Sequence, residues 1–105
     1  MAVNTEAVNR AVEDYVADVR SALPIDRAIL FGSHARGDAT EQSDIDLCFF
    51  SRSFEGLSSI EILTRLFRLT RKYKGIDIEP LGFPTSELDN DNPFVKEVLR
   101  TGREL

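Results

Sequence analysis

The sequence predicts a small α/β (α+β) domain in which helices pack on one face of a mixed β-sheet of about three strands. Three observations point there. Stretches with three- and four-residue apolar spacing recur along the chain, three short stretches carry strand-like runs or alternation, and the two kinds interleave as helix, strand, strand, helix, strand, helix. Of 105 residues 42% are hydrophobic, with 4 Pro, 6 Gly and no repeat or biased run. That is enough apolar side chain to close a core and too much for disorder, so residues 1–105 read as one domain.

From about Thr5 to Leu23, residues Val8, Ala11, Val12, Tyr15, Val16 and Val19 recur at helical spacing, with Asn4 available as N-cap and Pro24 just past the end. Arg27–Ser33 is a short apolar run ending in Gly-Ser, and Ser43–Ser51 alternates Asp44, Asp46 and Cys48 against Ile45, Leu47 and Phe49. Both predict strands, joined by a loop of small and polar residues with room for one helical turn. Ser58–Lys74 opens with Ser58 and Glu61 in capping-box spacing, carries Ile60, Leu63, Leu66, Phe67 and Tyr73 on one side and ends in basic residues and Gly75, which predicts a second long helix. Ile76–Phe83 sets Ile76 and Ile78 against Asp77 and Glu79 and gives the third strand, with Pro80 expected to interrupt its pairing. Ser86–Asp89 reads as a helical turn, and Asn92, Pro93 and Gly102 mark the cap, first position and stop of a last helix.

The 13 basic and 18 acidic residues leave a charge of −5, which argues against tight sequence-independent binding of nucleic acid, since that affinity comes from Lys and Arg displacing counterions. No apolar stretch approaches the roughly 18–20 residues of a membrane helix, and the start of the chain lacks a signal-peptide pattern, so no membrane contact and a cytoplasmic location are expected. The one cysteine, Cys48, cannot form an internal disulfide and reads as a packed, inert thiol.

Two carboxylates one residue apart on a strand face the same way, with Cα atoms about 6.5–7 Å apart. Asp44 and Asp46 can therefore share a metal site, and an all-oxygen donor set suits Mg²⁺ or Mn²⁺ rather than zinc. Alone, Asp-x-Asp describes a solvated face equally well. The segment Gly32-Ser33-His34-Ala35-Arg36-Gly37, placed where a strand ends, adds a turn that frees backbone N–H groups and the Ser33 hydroxyl to meet phosphate oxygens. Neither familiar glycine loop fits it: Gly37 is followed by Asp38 and Ala39 rather than Lys and Ser or Thr, and His34 stands where a dinucleotide fingerprint needs Gly.

Together Gly32, Ser33, Arg36, Gly37, Asp44 and Asp46 match the pattern G-S-x-x-R-G…D-x-D, and over nearly its whole length the chain resembles the minimal nucleotidyltransferases of the DNA polymerase β superfamily. The resemblance implies the nucleotidyltransferase fold and transfer of AMP from ATP to an acceptor hydroxyl. Gly32, Ser33, Arg36 and Gly37 would bind the nucleotide, and Asp44, Asp46 and a third carboxylate would hold two Mg²⁺ ions, with Mn²⁺ as a substitute. Asp77 is the choice for the third place because it sits between hydrophobic residues; Glu79 is the alternative. Members of this size resemble antitoxins paired with a helical HEPN-family ribonuclease toxin, whose tyrosine they modify with AMP. Two other readings stay open, a binding module that masks its partner without catalysis and an enzyme acting on a small molecule such as an aminoglycoside.

Other residues carry alternatives of their own. Arg36 could simply pair with Asp38 or Glu41, and His34 occupies a variable position of the motif and reads as exposed. Arg65, Arg68, Arg71, Lys72 and Lys74 read as the solvated side of a helix, with a partner surface as the alternative. Phe54, Leu57 and Phe83 are candidates for a docking surface or for ordinary core.

Overall fold

The computed structural model describes residues 5–105. A hairpin-like pair forms its centre: Arg27–Phe31 (β1) and Ile45–Ser51 (β2) run antiparallel, with Leu30 opposite Leu47 and Phe31 opposite Asp46. Ile78–Pro84 (β3) lies parallel to the other side of β2, with Ile45 beside Ile78 and Asp46 beside Glu79. The two-residue strand Arg103–Glu104 (β4) pairs antiparallel with β1, so the sheet has the order β3-β2-β1-β4 and one strand more than the three expected. Two residues are too few to show periodicity, which is why β4 leaves no mark in the sequence.

Period-two alternation gives this sheet two different faces. On one, Ala28, Leu30, Ile45, Leu47, Phe49 and Ile78 form the main core with the helix Thr5–Ala22 (α1), which buries Val12, Tyr15, Val16 and Val19, and the helix Ser59–Arg68 (α3, the four-residue Ser33–Arg36 being α2), which buries Ile62 and Leu66. Asn4, expected as the cap of α1, lies outside the described residues. Tyr15 spans these helices: its ring is buried and its hydroxyl donates to the Leu66 carbonyl at 2.8 Å. The predicted class and the packing of helices on this face are as expected. The addition is the helix Pro93–Thr101 (α4), which lays Val95 and Val98 on Ile29, Cys48 and Phe50 of the opposite face. It covers the half of that face away from Asp46 and leaves the carboxylate end open.

Two local expectations need correction. The helix beginning at the Ser58–Glu61 capping box stops at Arg68 rather than Lys74: the Leu69 and Thr70 amides take up the Leu66 and Phe67 carbonyls, and the Thr70 hydroxyl also donates to Phe67. It buries Ile62 and Leu66, while Ile60 of the expected stripe is 77% exposed. Pro80 does not interrupt its strand. It pairs in register with Leu47, and β3 continues to Pro84 because it is an edge strand, where a missing N–H costs no ladder bond. Phe54 is fully buried in the main core, as its core alternative expects, and Leu57 and Phe83 are half-buried against the two cores.

Candidate active site

Where β1 ends, Gly32 turns the chain with φ 75° and ψ −154°, a region closed to side-chain-bearing residues. Space demands glycine as well, since a methyl group here would run into the Asp46 carboxylate. The turn closes on itself: the Ala35 and Arg36 amides donate to the Gly32 carbonyl at 3.1 and 3.0 Å, and Gly37, in the left-handed region at φ 87°, donates to Ser33. Ser33 is half-buried at the start of this turn, two residues past Phe31, the β1 residue paired with Asp46. Arg36 is exposed and does make the ion pair with Asp38 allowed by its spacing, at 3.3 Å. Its charge still reaches Asp46.

The carboxylates gather at the open end of β2 and β3. Asp46 is half-buried and stands between Phe31 on one side and Glu79 on the other, all three on the face away from α1 and α3. Asp44, one residue ahead of β2, is exposed. Asp77, one residue ahead of β3, is exposed too, and its carbonyl accepts the Ile45 amide at 2.7 Å, which locks the start of the parallel ladder. Burial, and after it Asp44, holds the Asp46 carboxyl above its ordinary value, with His34 and Arg36 pulling the other way. Partial burial and the charges of Asp44, Asp46 and Asp77 raise Glu79 likewise. The four carboxylates thus form one electrostatic cluster, and within it the register makes Glu79 the direct neighbour of Asp46.

Like charges this close repel, and among the described residues no three His, Cys, Asp or Glu side chains converge tightly enough to chelate one ion. The donors nevertheless suit a hard divalent cation: they are carboxylate oxygens, and those of Asp46 and Glu79 occupy paired register positions on one sheet face.

The remaining candidates fall outside this cluster or at its edge. His34 is half-buried rather than exposed, with Nε2 3.5 Å from the Ser43 carbonyl, and it lines with Asp77 a cavity of about 270 Å³. Cys48 continues the Asp46 face but lies under α4, and burial pushes its thiol up to about 12, which makes it inert as expected. Arg65 and Arg68 sit on α3, and Arg71, Lys72 and Lys74 on the turns that follow it, across the sheet from the carboxylates; Lys72 pairs with Asp18 at 2.9 Å. What sequence reasoning missed is Phe31. Its only signal was its place directly before Gly32, and its importance comes from facing Asp46.

Residues 12–99 match the family model described as "Nucleotidyltransferase domain". The chain belongs to this nucleotidyltransferase family. A protein of Methanocaldococcus jannaschii named "putative protein adenylyltransferase" is 32% identical to it over 97 residues, covering 90% of this chain and 94% of that protein. In fold, this nucleotidyltransferase domain resembles the crystal structure of a "putative nucleotidyltransferase" from Sulfolobus solfataricus, with a TM-score of 0.68, 21% identity, and coverage of 95% of this chain and 80% of that one. Its general activity is therefore nucleotidyl transfer. No helix among its described residues is long and apolar enough to cross a membrane.

Proposed function

We propose that this nucleotidyltransferase moves AMP from ATP to the hydroxyl of a protein side chain, with Mg²⁺ as cofactor, and that the acceptor is a tyrosine of a helical HEPN-type toxin for which the chain serves as antitoxin. The reading rests on one juxtaposition: the Gly32–Ser33 turn, built to face phosphate, abuts Asp46 of the Asp44-x-Asp46 pair, which in turn abuts Glu79. The name of the archaeal relative supports a protein as acceptor.

Asp44, Asp46 and a third carboxylate would hold the metal ions, which supply charge neutralisation at the triphosphate. The amides and hydroxyl of the Gly32–Ser33 turn orient the phosphates, and Arg36, freed from Asp38, reaches them from the exposed side. In the transfer the acceptor oxygen bonds to the α-phosphorus as the bond to pyrophosphate breaks, and the hydroxyl proton passes to a carboxylate. Register supports Glu79 for the third place, and its raised proton affinity suits it to that proton; Asp77, the choice from sequence, lies two residues further out, just ahead of the strand.

The open sheet end leaves these charges facing water, where their interactions are weak, so a docked partner has to exclude solvent and position the acceptor. The test is incubation with Mg²⁺ and α-labelled ATP, alone and with the product of the adjacent gene, followed by mass spectrometry of both proteins. Label on a partner tyrosine is expected. Rapid transfer to a free small molecule by the isolated chain overturns the protein acceptor, and stoichiometric binding without label on either protein replaces catalysis with masking.

A further inference from the structure

The most exposed aromatic ring of the molecule packs on Phe31, the cross-strand neighbour of Asp46. Phe94, 44% exposed, occupies the first turn of α4, with Pro93 before it and its amide donating to the Asn92 cap at 3.0 Å, so its backbone is fixed. Its ring meets Phe31 edge-on, centroids 5.9 Å apart at 88°, and Phe83 at 6.0 Å and 42°. Phe31 is also the cross-strand neighbour of Asp46 and the residue before Gly32. Chain and sheet therefore lead from the phosphate-facing turn, through one half-buried ring, to a second ring with an open face.

Core packing accounts for the edges of Phe94 that touch Phe31 and Phe83, and the rest of the ring is open to a ligand. A ligand with phosphates at Gly32–Ser33 and a flat ring that reaches past Phe31 to Phe94 is a nucleotide, the ribose spanning the gap. We propose that Phe94, propped by Phe31, is the stacking platform for the nucleobase of the donor. This deepens the nucleotidyl-transfer reading and rests on it for the placement of the phosphates. Aromatic stacking is tolerant of base identity because every base has a π-face, and the Phe31, Phe83 and Phe94 rings offer no hydrogen-bonding groups to the base. Preference between ATP and GTP is accordingly small.

The chain has no tryptophan, so Phe94→Trp installs a single tryptophan at the platform, excited selectively over the two tyrosines. Its emission should be quenched saturably by ATP and by GTP, with apparent affinities within about fivefold of each other, and left unchanged by tripolyphosphate, which has phosphates but no base. In turnover with labelled ATP, Phe94→Ala should raise the KM for ATP roughly tenfold with kcat little changed, Phe94→Leu should behave like Ala, and Phe94→Tyr should restore the wild-type value. Equal melting temperatures of the variants show that the exposed ring was not a folding requirement. A Phe94→Ala KM for ATP within twofold of wild type overturns the platform while transfer stands. So does quenching by tripolyphosphate equal to that by ATP, or a raised KM for the acceptor instead of ATP, which would make Phe94 a partner contact. Quenching by ATP in a chain that transfers no nucleotide sinks the transfer reading and keeps the platform.

Discussion

Asp46 and Glu79 lie directly beside one another across the parallel β2–β3 ladder, on the sheet face that α4 leaves open. Burial, and after it the charge of Asp44, raises the Asp46 carboxyl, while burial and then the charges of Asp44, Asp46 and Asp77 raise Glu79, so both hold protons more tightly than free side chains do. A pair poised this way stabilises a cation between its members or accepts a proton, and Asp77, whose fixed group is its backbone carbonyl, is less directly placed for either.

The first prediction follows from that contrast. Glu79→Gln should lower nucleotide transfer by about a hundredfold or more, the usual scale for a group acting in the transition state, whereas Asp77→Asn should lower it by less than tenfold. Single-turnover rates with labelled ATP decide it. The reverse ranking returns the third place to Asp77, and two small effects remove both from the site.

Replacing the acidic pair itself has opposite effects on activity and stability. Asp44→Asn with Asp46→Asn should abolish Mg²⁺-dependent transfer, yet in chelator-containing buffer at neutral pH the double variant should melt at a higher temperature than wild type, because repulsion within the cluster is relieved. Transfer at the wild-type rate would show that this pair holds no metal.

Gly32 carries two constraints at once, and they can be separated. Gly32→Ala puts a side chain into a glycine-only backbone region, which costs on the order of 1–3 kcal/mol, and also drives its methyl into Asp46. Gly37→Ala pays only the left-handed backbone cost of roughly 1–2 kcal/mol, with nothing within 4 Å of the added methyl. Both should melt lower than wild type, with transfer falling further in Gly32→Ala. Equal losses would mean that contact with Asp46 does not shape the site.

What could be read from sequence here was local. The Gly32–Ser33 turn and the Asp44, Asp46 alternation lie within one strand–loop–strand segment, so their chemistry and their common face follow from spacing alone. The choice between Glu79 and Asp77 depends on a parallel register joining strands separated by a whole helix, and shifting that register by two residues swaps one carboxylate for the other without changing which face is apolar. The second long helix carries two apolar stripes, and only tertiary packing selects Ile62 and Leu66 over Ile60. The cluster of Phe31, Phe83 and Phe94 joins three distant segments, and no periodicity within any of them announces it.

The last prediction concerns the clasp at the back of the sheet. Asp18 on α1 accepts the Tyr73 hydroxyl at 2.5 Å and pairs with Lys72 at 2.9 Å, tying that helix to the turn that replaces the predicted end of α3. The Tyr73 hydrogen bond, followed by that of Lys72, holds the Asp18 carboxyl below its ordinary value of 3.8. A carboxylate lowered by folding adds stability above its unfolded pKa, and this is lost as pH falls through the folded value. Asp18→Asn should therefore melt a few degrees below wild type at pH 7, with the gap closing as the pH is taken below 3.8. Tyr73→Phe should show part of the same pH-dependent loss, since Lys72 still pairs with Asp18, and Lys72→Met a smaller part, since the more exposed ion pair is screened by solvent. Melting curves of the three variants between neutral and acidic pH check this, with salt added in a parallel series. A gap between Asp18→Asn and wild type that persists unchanged into acid would show that the side chain acts through packing rather than charge.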